Sequence, residues 1–132
     1  MPIFNLKDIE FLNLQYGEVM DEISELKFNH GININVVEEL NIYNDIAGLS
    51  DLIDACDFVI TSSNVTAHLA GALGKNVFVL APYGNGFIWY WKDFYGRNLW
   101  YPKLKVIKSP NANNWSSSIA ELFSVVKENV YG

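Results

Sequence analysis

Asp57-Phe-Val-Ile-Thr-Ser-Ser-Asn-Val-Thr-Ala-His-Leu-Ala-Gly-Ala-Leu-Gly-Lys75 decides the fold. Phe58 to Thr61 is a short apolar, β-branched run, the pattern of a buried strand. Thr61, Ser62, Ser63 and Asn64 follow as a cluster of hydroxyls and an amide where a helix begins. The pattern predicts a helix over about Val65 to Leu73, stopped by Gly74. A strand, a small polar turn and a helix start leave backbone N–H groups aimed at one spot. Those groups and the helix dipole favour an anion such as a phosphate. Ala67, Ala70, Gly71 and Ala72 let the helix lie close to a sheet and leave room for a ligand. The same residues also read as a structural cap, and both readings stay open at this level.

Outward from this stretch, strands alternate with helices. Phe11 to Gln15 is a first strand, ended by Tyr16-Gly17. Glu18 to Phe28 is a helix with Val19, Ile23 and Leu26 on one face, closed by Asn29-His-Gly31. Ile32 to Val37 is a second strand. Asp45 to Cys56 is a second helix, for which Asn44 and Ser50 are both plausible caps. Phe58 to Thr61, Val77 to Ala81 and Leu104 to Lys108 are the third, fourth and fifth strands. A last helix covers about Ser116 to Val130, with Ile119, Leu122, Phe123, Val126 and Val130 at helical spacing.

This alternation implies an α/β fold with right-handed crossovers: a Rossmann-like three-layer domain around a parallel five-stranded sheet. The expected order is 2-1-3-4-5. Ligands then sit beyond the carboxyl ends of strands one and three, where the winding reverses. Those ends are Gln15-Tyr16-Gly17 and Ser62-Ser63-Asn64. Tyr83 and Gly84, directly after the fourth strand, are further candidates for lining the site.

Composition narrows the function. The 132 residues suit one domain, 1–132, and half of them are apolar, so the chain folds. A net charge of −6 argues against a general nucleic-acid binder. Cys56 is the single cysteine, which excludes a disulfide framework and a Cys-based zinc site. His30 and His68 have no partner at ligand spacing, so no metal site is expected. No apolar run reaches membrane-spanning length and no signal peptide is evident, so a cytoplasmic protein without a membrane span is expected.

A set of short motifs runs in order over about Phe11 to Ile107. It comprises Asn13-Leu-Gln-Tyr-Gly17, Cys56-Asp-Phe-Val-Ile60, Ser63-Asn-Val-Thr-Ala-His-Leu-Ala-Gly-Ala-Leu-Gly74 and Val77-Phe-Val-Leu80. Pro82-Tyr-Gly84, Ile88-Trp-Tyr-Trp91 and Leu99-Trp-Tyr-Pro102 complete it. The set resembles the nucleotide-binding, C-terminal domain of GT-B glycosyltransferases. The nearest likeness is to the heptosyltransferase-like group and to the glycosyltransferase-like domains that follow tetratricopeptide repeats. The resemblance implies binding of a nucleoside diphosphate sugar (UDP-, GDP- or ADP-linked) and sugar transfer to an acceptor, with no cofactor and usually no metal. It places the diphosphate at Ser62, Ser63, Asn64, Val65, Thr66, Ala67 and His68.

The chain departs from this family in two ways. It has room for one of the two GT-B domains, and it starts after the strand and glycine-containing loop that open the relatives' domain. Ser63 also stands where related transferases often carry Asp. The isolated chain is therefore expected to be inactive, with catalytic residues unassigned. A non-catalytic binding or assembly module of the same fold is the alternative. A receiver domain is excluded because no acidic pair ends the first strand and no Asp ends the third. Gln15-Tyr-Gly-Glu18 is a poor phosphate loop for a flavodoxin.

Aromatic residues crowd the connection from Tyr83 to Tyr101: Phe87, Trp89, Tyr90, Trp91, Phe94, Tyr95, Trp100 and Tyr101. So long a connection in a small domain is functional or packs as a unit, and packing is the expectation for most of the rings. Exposed apolar surface on half of a two-domain design also predicts a homodimer, with this loop as a contact.

Overall fold

β-branched and aromatic residues between Phe58 and Lys108 build three strands of five or six residues in the computed structural model, which describes residues 2–84, 89–95 and 97–132. The chain divides into two compact units, Met1–Leu52 and Ile53–Gly132.

In the first unit a 3-10 turn over Pro2–Asn5 precedes strand β1, Phe11–Leu12. The rings of Phe4 and Phe11 meet edge to face at 4.8 Å. Strand β2, Ile34–Asn35, pairs parallel with β1 in the register Phe11↔Ile34 and Leu12↔Asn35. One further ladder bond runs from Asn13 N to Asn35 O at 2.8 Å. Helix α1, Met20–His30, lies between them and ends at Gly31, whose φ of +66° is a left-handed cap that glycine adopts without strain. Helix α2, Ile46–Asp54, starts where Asp45 Oδ1 accepts from Gly48 N at 2.8 Å, so Asp45 is the cap, rather than Asn44 or Ser50.

In the second unit strand β3, Phe58–Ser62, is followed by helix α3, Val65–Ala72, and strand β4, Asn76–Ala81. Gly74, at φ +74°, reverses the chain between them. A 3-10 turn at Trp89–Trp91 leads to a hairpin of β5, Asp93–Phe94, and β6, Arg97–Asn98. Strand β7, Leu104–Lys108, and helix α4, Ser116–Tyr131, close the unit. The β3-β4-β7 sheet is parallel throughout, with Val59↔Val77↔Leu104 in one row. Val59, Val77, Val79, Leu104 and Ile107 are buried in this sheet, and Leu122 and Val126 of α4 are buried too. Lys75 ties the end of α2 to the start of β4, donating to Asp54 O at 2.6 Å and pairing with its carboxylate at 3.1 Å.

The α/β class and the parallel pairing agree with the sequence. The continuous five-stranded sheet of order 2-1-3-4-5 does not form. Among the described residues β1 pairs only with β2 and β3 only with β4, so the sheet is split into a pair and a three-stranded part. β1 is also shorter than the expected Phe11 to Gln15, and the cause is visible at its end. Asn13 Nδ2 donates to Gln15 O at 3.0 Å, and Gln15 N donates back to Asn13 Oδ1 at 3.2 Å. This side-chain turn competes with the ladder and ends β1 after two residues. No helix among the described residues is long and apolar enough to cross a membrane.

Candidate functional site

The parallel direction of β3, β4 and β7 brings their carboxyl ends to one edge. The turn at Ser62–Asn64 leaves β3 there, and Pro82-Tyr83-Gly84 leaves β4 there. Asn64 is the N-cap of α3, with extended backbone and its Oδ1 accepting from Ala67 N at 3.2 Å. Thr61 Oγ1 donates to the same oxygen at 3.0 Å, which locks the cap against β3. The first-turn amides of Val65 and Thr66 have no acceptor among the described residues. Val65 is exposed on its outer side, whereas Thr66 and Ala67 are buried.

Ser62 is exposed, whereas Ser63 and His68 face the aromatic connection. Ser63 Oγ accepts from Trp91 Nε1 at 2.8 Å. His68 Nδ1 and the Tyr101 hydroxyl share a hydrogen bond of 2.8 Å. The His68 ring stacks on Trp91 at 4.9 Å and 26°, with Tyr90 and Tyr101 edge-on at 5.0 and 5.7 Å. Trp91 is 1 % exposed and forms the floor of this cluster. Gly71 permits the approach of Tyr101: a Cβ there would stand 2.5 Å from the tyrosine Cγ. Ser63 and His68 are thus joined to the loop by polar bonds, and a ligand at this turn would meet backbone amides first.

Asn98 went unremarked in the sequence and holds the aromatic connection together. Only 6 % exposed, it donates from Nδ2 to Tyr90 O at 3.0 Å and accepts at Oδ1 from the amides of Trp100 and Tyr101, each at 3.0 Å. A buried amide that spans two halves of a loop fixes its shape, because each of its groups would be costly to leave unpaired. A polar residue inside a run of rings was the signal that could have found it. Packing inside, expected for most rings, holds for Trp91 and in part for Tyr90 and Tyr101, which are half-buried; it fails for Trp89, Phe94, Tyr95 and Trp100, which are exposed. Lys92 and Arg97 are exposed on this loop. Phe87 and Ile88 lie outside the described residues.

Of the other expected site residues, Gln15, Tyr16 and Gly17 belong to the first unit, and Tyr83 and Gly84 to the second. Gln15 and Tyr16 are exposed after β1, where Tyr16 meets Tyr43 edge to face at 5.6 Å and Gly17 takes φ +100°. Tyr83 is exposed, and Gly84 takes φ +68°. Among the described residues, no group of three or more His, Cys, Asp and Glu comes together to hold a metal. Burial pushes the Cys56 thiol up, with Asp57 adding to the effect and Lys75 opposing it. A thiol so placed is a poor nucleophile.

Against this geometry the comparisons with known proteins add one relative. The chain is 27 % identical over 127 residues to Protein FlbA of Caulobacter vibrioides, covering 96 % of this chain. It spans about a fifth (21 %) of the length of that relative. No family model matches, and no solved structure matches significantly.

Proposed function

We propose that the chain is a cytoplasmic donor-nucleotide-binding domain of a GT-B glycosyltransferase, binding the diphosphate of a UDP-, GDP- or ADP-linked sugar at the Ser62–His68 turn. The observation that carries this reading is the helix start at the carboxyl edge of a parallel sheet. There the Val65 and Thr66 amides meet no described acceptor, and Ala67, Ala70 and Gly71 keep the helix small. Backbone amides and helix dipole would stabilise the diphosphate without a metal. Tyr83 and Gly84, which follow β4 at the same edge, would line the remainder of the site.

A non-catalytic binding or assembly module is the second reading. It is favoured by the engagement of Ser63, Asn64 and His68 in internal hydrogen bonds. Self-association as a homodimer accompanies either reading, given the exposed rings of Trp89, Phe94, Tyr95 and Trp100.

Titration with UDP, GDP and ADP, followed by amide chemical shifts, separates the two readings. Shifts centred on Val65 and Thr66 at millimolar ligand support the nucleotide domain; their absence supports the assembly module. The purified chain alone is expected to transfer no sugar, and turnover lost on changing Thr66 and His68 would contradict that.

A further inference from the structure

The net charge of −6 conceals a division between the two units. Residues 1–52 hold ten Asp and Glu against two Lys, while residues 53–132 hold five against seven Lys and Arg. Five of those seven cations, Lys92, Arg97, Lys103, Lys105 and Lys108, fall within 17 residues in which Asp93 is the single acid. The fold gathers this segment. Hairpin β5–β6 lies against β7, and a hollow of about 230 Å3 between them is lined by Asp93 and Asn98 on one side and Lys105 and Lys108 on the other. Phe94 and Tyr95 at the hairpin tip are exposed, Tyr95 by 96 %. The result is a surface with more cations than acids in a protein that is acidic overall: Lys105 is paired with Glu121 of α4 at 3.2 Å, and Lys92 and Arg97 are exposed beside the rings.

The first unit presents the opposite character. None of the residues of α1 is buried, and Phe28 is 91 % exposed. Glu18, Asp21, Glu22 and Glu25 run along or beside this helix, with Met20, Tyr16 and Tyr43 exposed in the same unit. The first unit thus carries exposed apolar side chains with an excess of acids, and the second carries exposed rings with an excess of cations, so the net signs are complementary. Complementary potentials of this kind set partner choice and register.

We propose that the basic hairpin–β7 surface of one copy docks on the acidic first unit of a second copy, each copy supplying both surfaces in a two-fold pair. The inference rests on the homodimer reading above and adds its chemistry: attraction between unlike units, where pairing of like aromatic patches would be indifferent to charge. A two-fold pair makes the contact twice, since whatever meets its complement once does so again by symmetry.

Light scattering and sedimentation on the full chain test it, at about 0.1 M and about 1 M salt, between which the screening length falls from about 10 Å to about 3 Å. A mass of twice 15.0 kDa is expected at the lower salt, with at least a tenfold rise in dissociation constant at the higher. Lys92→Glu with Arg97→Glu should weaken the pair by a similar factor, and so should Glu22→Lys with Glu25→Lys. All four changes in one chain should restore it, with circular dichroism confirming that each variant folds. A monomer under all conditions overturns the homodimer and this inference together. A dimer unmoved by salt and by both reversals leaves the homodimer standing and overturns the charge pairing. Weakening by both reversals without recovery in the fourfold variant overturns the match between these two surfaces.

Discussion

β3, β4 and β7 pair over five residues at each seam, whereas β1 and β2 pair over two. The helices differ in the same sense. α3 buries Thr66, Ala67, Ala70 and Gly71, while α1 buries none of its residues. The runs differ in the sequence: Phe58-Val-Ile-Thr is apolar and β-branched, whereas Phe11-Leu-Asn-Leu-Gln is interrupted by Asn13 and Gln15. The contrast teaches that a long ladder needs an unbroken run and a neighbour of matching length beside it. The second unit supplies three neighbours in a row, each covered by helix or loop. The first supplies one short pair.

The largest expected effect tests this contrast directly. Ile107 is fully buried in β7, and Ile107→Ala should cost about 2–5 kcal/mol in urea denaturation. Half-buried Leu12 in β1 should cost under about 1 kcal/mol on the same change. Equal losses would mean that the two units share one cooperative core. Hydrogen exchange gives an independent check, with amides of β4 protected far longer than those of β1 and β2.

Gly71→Ala sharpens the comparison inside the second unit. The new methyl group meets the Tyr101 ring, so the change should cost about 1–3 kcal/mol and disturb the His68–Tyr101 hydrogen bond. A stability equal to that of the parent would show that the aromatic connection moves freely away from α3.

Caps compare the units at smaller scale. Asn64→Ala and Asp45→Ala each remove an N-cap, worth about 1 kcal/mol. Thermal melts should show the Asn64 change in the main transition. The Asp45 change should appear as extra fraying of α2, read by exchange of the Gly48 amide.

The smallest effect belongs to the half-exposed Lys105–Glu121 pair at 3.2 Å, where Glu121→Ala should cost no more than about 0.5 kcal/mol. A loss several times larger would give this surface contact a structural role.

The legible parts of the sequence were those with local causes. Phe58-Val-Ile-Thr, Val77-Phe-Val-Leu-Ala and Leu104 to Lys108 appear as strands within a residue of their expected limits, and Gly74 ends α3 as expected. The shortness of β1 turned on a side chain, Asn13, that bonds its neighbour's backbone instead of pointing away. The β5–β6 hairpin was hidden because Tyr95, at φ +52°, occupies a left-handed position without being a residue that signals one. In the candidate site, the turn and the Asn64 cap were readable from the pattern. The partners of Ser63 and His68 were not, since Trp91 lies 28 residues away and Tyr101 lies 33 away.

Burial of Trp91 also gives the molecule an optical handle. Of the four tryptophans, Trp89, Trp100 and Trp115 are exposed, while Trp91 is shielded and stacked on His68. Iodide in solution should therefore silence three emitters and leave one, shifted to the blue and in van der Waals reach of an imidazole that quenches when protonated. What remains after quenching is a spectroscopic voice for the Ser63–His68 turn, with no label attached. Anything that enters that turn, or pulls the aromatic connection off it, should change the colour or lifetime of a single indole.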